Sequence, residues 1–494
     1  MAEIITISLY FSYLLSVCFA MIFSFGNVFE LGFRCMIGKT IWLYLSLSLT
    51  ELEESVGLLS FLKSKPEPEA SAASAPAATQ AVGASSPASG ANADAIVLRA
   101  EIVDERHRLC GYRFSVPLGS DRAPLPESQL VDTLVAAKLP EFAQTRMALV
   151  QVGGYSDVTP LVAPHTVFLL DRKTIDLPVE QIAARMTALR ETGCKVALRG
   201  VALDDGDAPL LALCDIAVLH LGDLPLPEFQ ALAKQLRVRY PSLKLMIDGV
   251  ESWDEQRMCL SWGCNYFLGH FLTTSDKVDP DAKVDQSRMT SIELLNLLRT
   301  DAELPAMIEV AKRDPGMTFQ VLQWANAPSN GLATKVTSLN QAFMVLGRNQ
   351  LYRGLTVSMF RLGGGANKER DESLLEVALT RARFLETCST LPQAKRDELF
   401  LVGLLSLFDV LLGMPMANLV GKMHLSDEIR DVLLKSEGPY GPYLMMVLLL
   451  ERDKVERAIE IAETLGIDID GLGATGQAAF KWAQDSIHHT SGDE

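Results

Sequence analysis

The sequence predicts an α/β barrel followed by an all-α domain, on three observations. Between residues 96 and 284, short apolar runs alternate with helix-length amphipathic segments, which is the pattern of βα units around a parallel sheet or barrel. After Met289 that alternation gives way to helical spacing with capping residues. The 494 residues suffice for two or three domains, each able to bury its own core.

The first 55 residues differ from the rest. From Ile4 to Phe25 no charged residue occurs, a run of about the length that crosses a bilayer. A second apolar run, Ile41 to Leu49, is too short to span alone, and no basic residue precedes the first. Two readings stay open: a membrane anchor through residues 4–25, or a start at Val56, where "VGLLSFLKSKPEPEA" reads like the opening of a soluble protein. Residues 56–95 then pass through Pro66, Pro68, Pro76 and Pro87 amid Ala, Ser and Gly, a composition too poor in large apolar side chains to pack, and are read as a flexible linker.

Composition narrows the function classes. Cys18, Cys35, Cys110, Cys194, Cys214, Cys259, Cys264 and Cys388 are scattered and form no CxxC pair, so the expectation is free thiols in a reducing, cytoplasmic setting. A formal charge of −16 argues against nucleic acid as partner, because backbone binding draws on clustered Lys and Arg.

Within 96–284, "TVFLLD" (166–171), "KVAL" (195–198), "IAVLHL" (216–221) and "LKLMID" (243–248) read as strands, with "PVEQIAARMTALRETG" and "PLPEFQALAKQLRVRYP" as helices between them. In such folds functional residues sit just past the C-terminal strand ends. Asp204 and Asp205 follow one strand and look like a metal-binding pair; as part of Asp-Asp-Gly-Asp they also read as an acidic solvated turn.

"AEIVDERHRLCGYRF" (100–114), "PLLALCDIAVLHL" (209–221) and "IDGVESWDEQRMCLSWGCNYFLGHFL" (247–272), in that spacing, resemble the EAL domain of cyclic di-GMP phosphodiesterases. The resemblance implies a barrel in which several carboxylates converge on the mouth to hold cations that polarise a phosphodiester and activate water. Here it also implies their loss. Arg113 stands where the naming glutamate would follow Gly111-Tyr112, and Arg199-Gly200 stand in the place of the aspartate pair, which makes Asp204 and Asp205 a decoy. Val218 and His220 replace a lysine and an aspartate, Asp248 replaces a glutamate, and Leu268 a glutamine; Glu251 alone survives. A guanidinium has no acceptor and ligates no cation. His220 and His270 are read as structural, not as a replacement metal site.

In the second half, "SIELLNLLRT" reads as a helix with Ser291 as N-cap, and "RDPGMTFQVLQWANAP" as one capped by Asp314 with Pro315 in its first turn. "SLNQAFMVLGRNQLYRGLTVSMFRL" carries an apolar stripe of Ala342, Val345, Leu346, Leu351 and Leu355 that Gly363-Gly364-Gly365 ends. Together with "LLEVALTRARFLE" and "LFLVGLLSLFDVLLGMPM", these segments resemble the HDOD domain, a relative of the HD phosphohydrolases, over residues 289 to about 466 within a domain of 285–494. The whole resembles bacterial EAL–HDOD signal-transduction proteins. An HD metal site would need several His and Asp; here only His424, His488 and His489 occur, and Asp409, after Phe408, reads as a capping or hydrogen-bonded residue.

The expected function is a non-catalytic regulatory scaffold that acts through a protein partner, with no catalytic, cofactor or metal residue assigned. A cyclic di-GMP sensor without hydrolysis and a residual phosphodiesterase using Glu251 and Asp248 are the alternatives; loss of charged positions disfavours both. The basic excess of Lys335, Arg348, Arg353, Arg361, Lys368 and Arg370 against Glu369 suggests where an acidic partner docks, or else a solvated helix face.

Overall fold

The computed structural model describes residues 95–491, except 118–124, 155–156, 202, 204–205, 280–283, 328–329, 331, 333 and 362–366, with side chains to residue 487. The expected leader, nearly all the expected linker, Asp204, Asp205, the Gly363–Gly365 breaker and the side chains of His488 and His489 lie outside the described residues. Among those described, no helix is long and apolar enough to cross a membrane.

Eight strands close into a barrel in sequence order: β1 (Leu98–Asp104), β2 (Leu109–Ser115), β3 (Met147–Gln151), β4 (Thr166–Asp171), β5 (Lys195–Arg199), β6 (Ile216–His220), β7 (Lys244–Asp248) and β8 (Tyr266–Leu268). β2 to β8 run parallel; β1 is antiparallel to both its neighbours. Burial follows the period-2 alternation of side chains. Ile102, Leu149, Val167, Leu169, Ala197, Ile216, Val218, Met246 and Leu268 form the barrel's interior, while their neighbours Val150, Phe168, Leu198, Leu245 and Phe267 join the larger core outside it. At Gly111 any side chain would collide with the carbonyl of Met147, 2.2 Å from the place of a Cβ, so the β2–β3 contact requires glycine.

The covering helices are α1 (Glu127–Ala136), α2 (Leu139–Phe142), α3 (Val179–Glu191), α4 (Ala208–Leu213), α5 (Leu226–Arg239) and α6 (Trp253–Ser261). The four strands and two helices anticipated by periodicity are all present, within a few residues at their ends.

The helical domain contains α7 (Gln286–Arg299), α8 (Leu304–Ala311), α9 (Pro315–Ala325), α10 (Leu339–Arg361), α11 (Lys368–Cys388), α12 (Gln393–Leu405), α13 (Phe408–Leu412), α14 (Met416–Val420), α15 (Asp427–Lys435), α16 (Gly441–Glu451), α17 (Val455–Thr464) and α18 (Leu472–Ser491). α11 is its axis, with Leu374, Leu375, Ala378, Ala382 and Leu385 all buried. Gly403 of α12 lets that helix cross α11 closely: a Cβ there would stand 2.4 Å from the Cα of Ala382.

Two helix readings are corrected. α7 begins at Gln286 because Asp285 accepts the amide of Arg288 at 2.9 Å, and Ser291 lies inside the helix, its hydroxyl donating to the Ser287 carbonyl. α10 is broken at Gly347, whose φ of 66° no helix accommodates, so the apolar stripe is two shorter ones. The Asp314 cap on Met317, at 3.1 Å, is as expected.

Barrel and helices share one interface along β1 and β2. Glu376 of α11, 2 % exposed, accepts from Arg146 and from the Tyr112 hydroxyl at 2.9 Å. Ser373 accepts the Leu109 amide and donates to the His107 carbonyl. Arg99 donates to the Gly476 carbonyl of α18 at 3.0 Å, its guanidinium 4.4 Å from the Phe480 ring centre.

Candidate functional site

Strand alternation aims the last inward residue of each parallel strand at the mouth. Continuing the interior set outward along the strands gives Arg113 on β2, Gln151 on β3, Asp171 on β4, Arg199 on β5, His220 on β6 and Asp248 on β7. The position read as lost carboxylates is thus held by cations.

Both arginines converge on one acid. Arg113 Nη1 lies 3.0 Å from Asp248 Oδ2, Arg199 Nη2 meets the same oxygen, and His220 Nδ1 is 3.9 Å from it. Burial lowers the pKa of both guanidiniums; Asp453 opposes this at Arg113, whereas at Arg199 the charge of Arg113 adds to it, against Asp171 and Asp223. Both stay cationic at neutral pH, since arginine starts from 12.5. Arg113 Nη2 also reaches Asp453 Oδ2 at 3.4 Å, so its guanidinium spans two carboxylates.

Asp453 belongs to the helical domain. The turn between α16 and α17, with Asp453 in the left-handed region at φ 58°, is seated over the mouth. Beside it Leu98 at the start of β1 packs with Val455 and Ile459 of α17. Glu451, closing α16, accepts Arg381 Nε and Nη2 at 2.9 and 2.7 Å, while Arg381 Nη1 donates to Ser406 at 2.7 Å. His270 links the two parts: Nδ1 is 3.0 Å from Glu251 Oε1 and Nε2 is 3.2 Å from the Glu451 carbonyl oxygen.

A divalent cation does not fit this mouth. The Asp248 oxygen it would need faces two guanidiniums, and Asp171, 7 % exposed, turns Oδ1 back onto the Lys173 amide at 2.9 Å. Among the described residues, no three His, Cys, Asp or Glu side chains are grouped to hold a metal. His220 and His270 sit on different acids, Asp248 and Glu251, and do not share a site. Val218 is 2 % exposed and Leu268 1 % exposed, both in the interior packing below the ring, and Gly200 follows β5 with φ 76°.

Sequence reasoning missed Asp171, which ends "TVFLLD" at a strand terminus and was open to the same rule that singles out Asp248. It also missed Glu451 and Asp453, for which no local signal exists, because their partners are 70 and 340 residues away.

In the helical half, Asp409 stands in the first turn of α13 and is hydrogen-bonded by the backbone at Val410, as expected, although its buried Oδ1 has no partner; burial raises its pKa against that backbone bonding. Several side chains of the basic run have acceptors within the domain. Arg348 donates to the Leu298 and Ala302 carbonyls at the end of α7, and Arg353 forks onto Glu386 at 2.7 and 3.1 Å with its guanidinium 3.7 Å from the Phe400 ring centre. Lys368 and Arg370 pair with Glu372 and Asp371. Arg353 and Arg370 are committed inside the domain, whereas Lys368 stays exposed, 3.8 Å from Glu372.

Comparison with known proteins bears on both halves. Residues 289–415 match the HDOD domain family, a shorter stretch than the helical domain itself, which continues through α18. With the eight-stranded barrel in front of that domain, the chain is an EAL–HDOD tandem protein. It is 23 % identical over 346 residues to the cyclic di-GMP phosphodiesterase CdgJ of Vibrio cholerae, covering 65 % of this chain and 77 % of that one. It is 24 % identical over 225 residues to the uncharacterized protein YuxH of Bacillus subtilis, covering 45 % of this chain and 55 % of the relative. Among solved structures, the Xanthomonas citri FimX EAL domain in complex with c-diGMP aligns at 13 % identity and a TM-score of 0.30, over 36 % of this chain and 86 % of that chain. The Bacillus subtilis YkuI protein, with an EAL domain, aligns at 14 % identity and a TM-score of 0.30, over 52 % and 74 %.

Proposed function

We propose that this EAL–HDOD protein is a non-catalytic regulatory scaffold of cyclic di-GMP signalling that works by binding another protein. One observation carries the reading: Arg113 and Arg199 both occupy Asp248 at the barrel mouth, where hydrolysis would need carboxylates free to hold cations. Glu251, the surviving carboxylate, is engaged by His270. CdgJ is a phosphodiesterase, and that activity is its own.

The test is direct. The full chain, incubated with cyclic di-GMP and magnesium or manganese, is expected to give no linear product above buffer. Turnover that Glu251→Ala abolishes would replace this reading with that of a diverged phosphodiesterase.

A second reading draws on the same arginines. Two guanidiniums at a mouth match the phosphates of a cyclic dinucleotide, which the protein would bind without cutting. Titration calorimetry with cyclic di-GMP separates the two: micromolar binding that Arg199→Ala removes favours the sensor, and no heat favours the scaffold.

A further inference from the structure

We infer that the α16–α17 turn is a latch over the barrel mouth, and that its closure depends on a proton held by Glu101 of β1. The inference concerns the chain's own conformation and holds whether the mouth is a scaffold surface or a ligand site.

The latch is held by Asp453 on Arg113, by Glu451 on Arg381 and, through its carbonyl, on His270, and by Val455 and Ile459 on Leu98. Glu101 lies beneath it. Half-buried, it lines a partly open cavity of about 90 Å³ between β1, β2 and the helical domain, together with Arg99, Tyr112, Arg381, Glu451 and Phe480.

Every basic side chain facing Glu101 is committed elsewhere. On its own strand Arg99 is bonded to Gly476 and stacked on Phe480; on α11 Arg381 is forked onto Glu451 and bonded to Ser406; after β8, His270 is shared between Glu251 and the Glu451 carbonyl. The acids facing it are Glu451 from α16 and the Tyr112 phenol, itself bonded to Glu376. Among the described residues Glu101 has no ion pair, so an ionised carboxylate there stands half-buried against Glu451. Burial, with Glu451 adding, pushes its pKa from 4.5 up to about 7, against the opposing pull of its own backbone, His270 and Arg381.

Opening the turn lets water in and returns Glu101 towards its ordinary value. The closed form then binds the proton more tightly than the open one. Closure is therefore fully favoured below about pH 4.5, loses ground as the pH rises to about 7, and is constant above.

Hydrogen exchange of the full chain between pH 5 and 8, corrected for intrinsic rates, tests this. Protection of peptides spanning 447–460 and 97–104 is expected to fall by about a hundredfold across that range, while the β4–β5 strands and α12 keep theirs. Glu101→Gln, a permanent mimic of the protonated side chain, is expected to stay protected at every pH. Flat protection in the unmodified chain overturns the latch without recourse to any variant. An equal fall across all peptides means global loosening and overturns it too, as does a Glu101→Gln chain with unchanged pH dependence.

Discussion

Arg113 and Asp453, 340 residues apart in sequence, stand 3.4 Å apart at the mouth of the barrel, where the guanidinium bridges the Asp248 carboxylate below and the α16–α17 turn above. One side chain thus joins the floor of the site to its cover.

Arg113→Glu is expected to set three acids against one another at that bridge and not to create a metal site, since Arg199 still occupies Asp248. The variant should lose about 1–3 kcal/mol of stability in urea unfolding and gain no cyclic di-GMP hydrolysis. A gain of turnover from this single change would mean that Arg113 alone silences the barrel.

Glu376→Ala should be among the most damaging changes in the chain. It strips Arg146 and Tyr112 of a partner that is 2 % exposed, and breaking a buried pair from one side costs about 3–5 kcal/mol. The measurement is the urea midpoint of the whole chain; a shift no larger than that of an exposed control such as Glu141→Ala would contradict the account.

Arg353→Glu is expected to unsettle the helical domain instead of merely weakening an encounter with a partner. Its target, Glu386, is 5 % exposed and Phe400 lies beneath the guanidinium, so the reversal should cost about 3–5 kcal/mol. Circular dichroism melting decides it: an unchanged melt would return Arg353 to the solvated face that the sequence alone allows.

The same pair gives an acid signature. Burial pushes the Glu386 carboxyl up, but Arg353 and Arg383 outweigh it and hold it below 4.5. The folded state therefore prefers the ionised form, and this contribution is complete above about pH 4.5 and is lost as the pH falls through the lowered folded value. In Arg353→Ala the acid limb of the stability curve should be shallower than in the parent chain, as read from denaturation midpoints between pH 3 and 6.

Gly403→Val is expected to force α11 and α12 apart. The added Cβ meets the Cα of Ala382, backbone that cannot rotate away, and overpacking of this kind costs about 1–3 kcal/mol. A midpoint unchanged in thermal melting would show that the crossing has slack.

Four barrel strands, β4 to β7, were legible because each is a short apolar run ended by a polar residue, and the end residues Arg199, His220 and Asp248 could be placed at the mouth before any coordinates. What could not be read was the cover. Glu451 and Asp453 sit in a helical turn whose own neighbours say nothing of β1 or β2; their meaning comes from packing between domains. Local chemistry also misled where two residues compete for one role. Ser291 is an acceptable N-cap, but Asp285 lies at an earlier position where its carboxylate reaches the Arg288 amide, and the helix runs on through the serine. At Gly347 the apolar spacing continues across the break, so periodicity alone reports one helix. The basic run was visible as charge, while its internal acceptors, two backbone carbonyls and Glu386, were not.

The contact of Arg99 with Gly476 spans 377 residues and carries a consequence for how the chain is made. Synthesis delivers domains in order, the earlier one folding first. β1 leaves the ribosome long before α11, α16 and α18, so a newborn barrel must hold its first strand in place with Leu98, Arg99 and Tyr112 facing water until the last helices arrive. Until those helices emerge, the face of β1 and β2 that they cover has no partner from its own chain.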